Sequence, residues 1–362
     1  MGPLIIANGL MKVGIVGFPG SGKTTIFNAL TGMSVQIGVS SKSKENLGVI
    51  KVPDPRIDKL AELHASKKRV YAEISFVDVA ARPDAAAKDV KGGLDAQVLA
   101  AMRECDALVL VIRAFANPML AATADPVRDL GGFLAELLLS DLAPLENRKD
   151  RLKKEAGKEK EKALIEKCMA HLEAERSLST LTLSAEEQRV LAGFGLLTLK
   201  PLLGLLNQEE ADFSNGIPAD VAQAAKGLGI DLMGISGKIE MDIAALPPEE
   251  QGEFLKELGL ESSARDRFIR RVYEKLDLIS FLTTGPDESR AWTIGRGTSA
   301  QRAAGRIHSD IERGFIRAEV IACEELIALG SEKKAREAGK LRLEGKEYVV
   351  KDGDVIEFRF NI

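Results

Sequence analysis

GFPGSGKTTIFNAL (17–30) follows the apolar run MKVGIV (11–16) and carries a single lysine between a glycine and two threonines. Gly17-Phe18-Pro19-Gly20-Ser21-Gly22-Lys23-Thr24 satisfies G-x-x-x-x-G-K-[ST], with a strand pattern before it and a helix pattern after it. Gly17, Gly20 and Gly22 let backbone N–H groups curl around a β-phosphate. The helix that follows points its positive end at the same place, and Lys23 adds a full charge. Pro19, Ser21 and Thr25 complete the expected phosphate cradle, and the Thr24 hydroxyl is placed to ligate Mg²⁺. The alternative is a glycine-rich turn that binds nothing, and the flanking strand and helix argue against it. A nucleoside triphosphate is the expected ligand.

Outward from this loop, short β-rich apolar runs alternate with helical stretches at 13–17, 49–52, 74–77, 107–112, 201–206 and 232–235. Buried strands separated by helices mark a mostly parallel, doubly wound α/β sheet. ISFVD (74–78) ends in Asp78, at the place where P-loop proteins put a carboxylate that reaches Mg²⁺ through water. At the other end of the ligand, guanine readers use Asn-Lys-x-Asp. The chain offers Asn207-Gln208-Glu209-Glu210, so Gln208 replaces the lysine and Glu210 the aspartate. One extra methylene is enough to spoil a bidentate pair with guanine. Asn207 is left to bridge loop backbone or the edge of the base, and Ser236 and Gly237 complete the expected nucleotide set.

From 125 to 196 the strand pattern breaks. Leu134, Leu138, Leu142, Leu145 and Leu152 recur at spacings of three, four or seven, and Leu164, Cys168 and Leu172 continue the series beyond Gly157. This predicts an inserted helical hairpin. Its charged stretch RKDRLKKEAGKEKEKALIEK (148–167) reads first as a solvated helix face. From 277 onward the β-rich runs AWTI (291–294), RAEVIA (317–322), LRLEG (341–345), YVV (348–350) and VIEFRFNI (355–362) surround one helix candidate, 300–312. They predict a small α+β domain. The expected layout is an extension at 1–10, a discontinuous nucleotide domain at 11–124 and 197–276, the hairpin at 125–196 and the C-terminal domain at 277–362.

Composition narrows the setting. A chain of 362 residues suits two or three units. No stretch approaches the ~20 apolar residues of a membrane span, and the opening lacks a basic n-region, so neither a membrane nor a signal peptide is expected. Cys105, Cys168 and Cys323 have no metal-type spacing and suit reduced thiols in the cytoplasm. A net charge of −4 excludes a global nucleic-acid field. Any such contact must come from local basic faces. Two are Arg265, Arg267, Arg270, Arg271 and Lys275, and Lys333, Lys334, Arg336, Lys340, Arg342 and Lys346. The second is offset by Glu332, Glu337 and Glu344.

Asn207–Glu210, VPDPRIDKLAEL (52–63), RAWTIGRGTSAQRAAGRIHSDIERGFIRAEVI (290–321) and LGSEKKAREAGKLRLEGKEYVVKDGDVIEFRFN (329–361) together resemble the YchF or Obg-like ATPases. The likeness spans nearly all of 11–362. It implies a G-domain with a helical insertion and a TGS-type β-grasp domain, slow hydrolysis with ATP preferred over GTP, and association with ribosomes. It also implies base-site roles for Asn207, Gln208 and Glu210. Departures cluster at the chemistry. The family's P-loop reads G-x-P-N-V-G-K-S, but Gly20 and Ser21 stand here, which removes a potassium ligand. Lys42, between Ser41 and Ser43, takes the place of the first-switch threonine ahead of Asn46-Leu47-Gly48. Ala81, in Asp78-Val79-Ala80-Ala81-Arg82, replaces the second-switch glycine, and Leu110 replaces a histidine proposed as catalytic. Lys23 is left as the one catalytic candidate, through charge. The expectation is an ATP-binding switch protein with Mg²⁺ and slow turnover. An ordinary GTPase, or a nucleotide-stabilised binding module without catalysis, remains the alternative.

Overall fold

The computed structural model describes residues 11–33, 46–79, 94–257, 260 and 262–361. Residues 1–10, Ser41, Lys42, Ser43, Ala80, Ala81 and Arg82 lie outside them. The described chain divides into two compact units, one of 12–49 and 75–268, the other of 50–74 and 269–362.

In the first unit β1 (Met11–Val16) enters the phosphate loop and α1 (Lys23–Thr31) leaves it. Then come β2 (Asn46–Val52), α2 (Pro55–His64), β3 (Lys68–Val70) and β4 (Ala72–Asp78), a stretch that crosses into the second unit and returns. After α3 (Ala96–Arg103) and β5 (Ala107–Ala114) the chain leaves the sheet for α4 (Pro126–Leu152), α5 (Glu159–Glu173) and α6 (Ala185–Leu191). It re-enters through β6 (Leu202–Gln208), α7 (Glu210–Phe213), α8 (Ala219–Gly227), β7 (Asp231–Ile235), α9 (Gly237–Ala245) and α10 (Pro248–Glu257). The sheet order is β2-β4-β1-β5-β6-β7, and β1, β5, β6 and β7 pair in parallel. Each strand foreseen from the apolar runs is present. β1 lies between β4 and β5, so its carboxyl end opens where the connections diverge, the usual ligand crevice of a doubly wound sheet.

The leucine spacing resolves as foreseen into α4 against α5. Leu134, Leu138, Leu145 and Leu152 are buried with Leu164, Cys168 and Leu172. Buried Asp141 accepts hydrogen bonds from the Leu197 and Thr198 amides at 2.8 and 2.7 Å, pinning the returning chain to α4. Cys105, Cys168 and Cys323 are buried, and no disulfide joins them. Among the described residues no helix is long and apolar enough to cross a membrane.

The chain passes into the second unit within α11 (Ala264–Lys275), whose first amides are capped by the buried Glu240. That unit contains β8 (Leu278–Thr283), β9 (Glu288–Gly295), α12 (Ala300–Ile307), α13 (Ser309–Arg313), β10 (Phe315–Ala322), α14 (Cys323–Leu329), α15 (Glu332–Glu337), β11 (Arg342–Glu344) and β12 (Asp354–Phe360). Its sheet order is β11-β10-β12-β8-β9-β3. Three expectations need correction. The helix foreseen at 300–312 is two helices, because His308 adopts extended backbone and its Nδ1 accepts the Asp310 N–H, capping α13. YVV (348–350) is no strand beyond a bridge at Val349, since the Tyr348 carbonyl accepts the Ala300 N–H and the Val350 N–H goes to Thr298 O, spending the backbone on the start of α12. Finally, 50–74, counted above with the nucleotide domain, folds with the C-terminal sheet. There Ile57 and Leu60 bury against Leu282, Ile321 and Leu326.

That last assignment has a thermodynamic signature. Leu60 is fully buried, and truncating such a leucine costs about 2–5 kcal/mol. Leu60→Ala should therefore lower the stability of the unit that holds Trp292, read by tryptophan fluorescence in denaturant. An unshifted transition would place α2 elsewhere.

Candidate nucleotide site

Lys23 opens α1 directly behind the left-handed Gly22. Its ammonium, almost wholly buried, donates to the carbonyls of Gly17 and Phe18 at 2.9 and 3.0 Å. Burial lowers its pKa to about 8, against the pull of Asp78 in the other direction. The Thr24 hydroxyl donates to Asp78 Oδ2 at 3.0 Å. Asp78 is buried, and burial pushes its pKa up against the hydrogen bond from Thr24 and the charge of Lys23. Its Oδ1 has no hydrogen-bond partner among the described residues. An orphaned carboxylate oxygen beside a hydroxyl suits a small, hard cation that takes oxygen ligands and keeps most of its shell for water and phosphate. The pair fits Mg²⁺.

The remaining loop residues divide. Pro19 is exposed at the tip, and Ser21 is buried with its hydroxyl unpartnered among the described residues. The Thr25 methyl packs beside Gly237 rather than into the cradle, 3.3 Å from where a Cβ there would lie. Gly20 has φ +76°, and a Cβ on it would come within 2.6 Å of Leu120 Cδ1. The left-handed backbone at Gly20 favours glycine, and a side chain there would have to displace the end of Leu120.

Asn207 is a strut. Its Nδ2 donates to Ser21 O at 3.1 Å and its Oδ1 accepts the Gly237 N–H at 3.0 Å, tying the phosphate loop to the turn after β7. Both ends are used inside the protein, so of its two expected roles the loop bridge is the one seen. Gln208 departs from expectation: it is buried and donates to Gly216 O at 2.8 Å, closing the loop after α7 instead of facing a base. Glu210 is exposed and accepts from Lys238 Nζ at 3.0 Å. Ser236 is buried, its hydroxyl unpartnered among the described residues.

Four residues went unrecognised in the sequence. Lys238 meets Glu210 across 28 positions. Glu209 accepts the Ala116 N–H at 3.1 Å, and Asn117 Nδ2 donates to Gly20 O at 3.3 Å, drawing the loop after β5 onto the phosphate loop. Phe115 brings a ring edge to 3.7 Å from the Cβ position of Gly22, beside Asn207. The local signal was an aromatic and an amide just past a buried strand end. Leu110, at the place of the expected histidine, is buried in an apolar cluster with Val16, Val77, Val79, Leu130 and Phe133.

Comparison with known proteins agrees with the fold. A family model described as 50S ribosome-binding GTPase matches residues 12–136, and the model YchF-GTPase_C, described as a protein of unknown function, matches 278–361. The Ribosome-binding ATPase YchF of Escherichia coli O157:H7 is 41% identical, covering 97% of this chain and 99% of its own. Its namesake from Bacillus subtilis (strain 168) is 39% identical, over 97% of this chain and all of its own. The solved structure of the Schizosaccharomyces pombe YchF GTPase is 31% identical with a TM-score of 0.85, covering 96% of this chain and 97% of that one.

The depressed pKa of Lys23 gives a test of the loop. The folded chain releases this proton near 8 and the unfolded chain near 10.5. Between those values the unfolded state holds more protons, so ligand-free stability should rise with pH across that window. A bound triphosphate restores the charged form. Near pH 8 binding should take up about half a proton, read by calorimetry in buffers of different ionisation enthalpy. Buffer-independent heats would show that Lys23 does not face the phosphates.

Proposed function

This chain belongs to the YchF family, and from that premise we propose that it is a Mg·ATP-binding switch protein of slow turnover that works on the ribosome. The observation that carries the reading is the Lys23, Thr24 and Asp78 constellation at the carboxyl ends of β1 and β4. Lys23 would exchange two carbonyl acceptors for phosphate oxygens, a gain because an ammonium in a dry site attracts an anion more strongly. Thr24 and Asp78 would hold Mg²⁺, which when bound neutralises charge on the phosphate oxygens. Asn207 keeps the loop in register with the turn after β7.

Base choice follows from Glu210. Guanine presents an N–H and an amine that a carboxylate accepts, and adenine lacks that pair. Lys238 shares the Glu210 carboxylate through an exposed pair, which guanine would have to displace at a modest cost. That supports ATP. The names of the relatives divide between ATPase and GTPase, so GTP is the second reading. Slow turnover is supported by Leu110, whose hydrocarbon side chain has no atom to orient water. Ribosome binding is supported by the names of the relatives and by the exposed Arg270 and Arg271 on α11.

Three measurements test the reading. Lys238→Met should free Glu210 and move selectivity toward GTP by about two- to fivefold, a modest shift because an exposed pair is weak. Wild-type protein that already binds GTP as tightly as ATP would refute the base argument. Hydrolysis of ATP by purified protein should turn over below ~1 s⁻¹. Co-sedimentation with ribosomes should weaken steeply as salt rises. Faster intrinsic turnover, or no co-sedimentation at low salt with any nucleotide, would overturn the corresponding half of the proposal.

A further inference from the structure

Residues 46–78 run from Asn46 to the metal-side Asp78, yet the middle of that stretch, 50–74, folds as part of the C-terminal unit. Several attachments hold it there. α2 buries Ile57 and Leu60 among Leu282, Ile321 and Leu326. β3 is the edge strand of the C-terminal sheet, in parallel register with β9 through Lys68↔Glu288, Arg69↔Ser289 and Val70↔Arg290. Ser66 Oγ donates to Gly285 O at 2.6 Å. A single residue, Tyr71, separates β3 from β4, and its hydroxyl donates to Asp58 of α2 at 2.6 Å.

One attachment is charged. Arg56, in the first turn of α2, forks between Asp54 and Asp352, each at 2.8 Å. Asp352 Oδ1 also accepts the Ser280 N–H at 2.8 Å, so the guanidinium grips a turn that is itself pinned to β8. The next residue, Gly353, has φ +81°, and a Cβ there would lie 2.7 Å from Arg56 Nη1. Only glycine leaves room for the guanidinium across that turn.

We propose that the Arg56–Asp352 pair is a latch through which nucleotide occupancy at Asp78 is communicated to the C-terminal sheet, along β4, Tyr71, α2 and β3. The proposal rests on the nucleotide reading above and adds a regulation to it. β4 is a stiff, hydrogen-bonded strand, so a displacement at its carboxyl end is passed to its amino end. There the chain turns at once into β3 and lies against α2. A planar fork shared by two carboxylates fixes α2 in angle as well as distance, which a lysine cannot do. Coupling of this kind is reciprocal: whatever holds the C-terminal sheet in one arrangement also shifts nucleotide affinity.

The single tryptophan of the chain, Trp292, is placed to report it. Val70 of β3 pairs with Arg290 of β9, and the Arg290 guanidinium lies 4.8 Å above the Trp292 ring. Adding Mg²⁺ with a non-hydrolysable ATP analogue to the full chain should change Trp292 emission. Asp352→Asn keeps an acceptor for the Ser280 N–H but removes the charge facing Arg56, and Arg56→Lys keeps the charge but loses the fork. Both variants should still bind nucleotide by calorimetry, with affinity shifted no more than a few-fold, and lose about half or more of the emission change. Binding heat with a silent tryptophan in wild type would overturn the coupling alone. A full-sized change in both variants would overturn the latch. No binding heat in wild type would overturn the nucleotide reading along with it.

Discussion

An ammonium sits buried at the start of a helix with two backbone carbonyls as acceptors and, among the described residues, no carboxylate paired with it. Desolvation outweighs the attraction of Asp78, which is why Lys23 gives up its proton so readily. The positive end of α1 adds to the same local excess of positive potential. A site of this kind is incomplete without an anion, and the surrounding architecture keeps it so. β1 lies between β4 and β5, which brings Asp78 to the loop, and the Asn207 strut stops the loop from closing on itself.

The base end is built on a different principle. Several of its polar groups are engaged within the protein: Asn207 by Ser21 and Gly237, the Gln208 amide N–H by Gly216, Glu210 by Lys238, while Gln208 Oε1 and the Ser236 hydroxyl have no partner among the described residues. In the proposed function, recognition there would depend on which internal bonds a base can replace. The exposed Glu210–Lys238 pair is the weakest of these and the easiest to exchange, whereas the buried amide bonds of Asn207 and Gln208 would be costly to break.

The two units share one continuous stretch of chain. Through β2, α2, β3 and β4 the polypeptide leaves the nucleotide sheet, contributes a helix and an edge strand to the C-terminal sheet, and returns to deliver Asp78. A C-terminal unit completed by a segment from the first quarter of the chain has its edge strand one residue away along the chain from the strand that ends at Asp78. Arg56 adds direction to that continuity, because an ion pair with a planar fork resists rotation as well as separation.

Contiguous residues and simple periods were enough to read the phosphate loop, the apolar strands and the leucine-spaced hairpin. Their chemistry is local: eight residues make the cradle, buried parallel strands are near-continuous apolar runs, and a helix face repeats every three or four positions. The sequence alone also placed Asp78 and Asn207 at strand ends, where a sheet must deliver them. The tertiary structure decided what has no local period. Lys68–Val70 is three residues long and begins with two cations, so nothing in it announced an edge strand paired with residues 288–290. Gln208 looked like a base contact until the fold brought Gly216 within its reach. Lys238 and Glu210, and Arg56 and Asp352, are ordinary charges along the chain. They become pairs because hydrophobic burial elsewhere brings distant backbone together, and side-chain pairing follows the backbone rather than leading it.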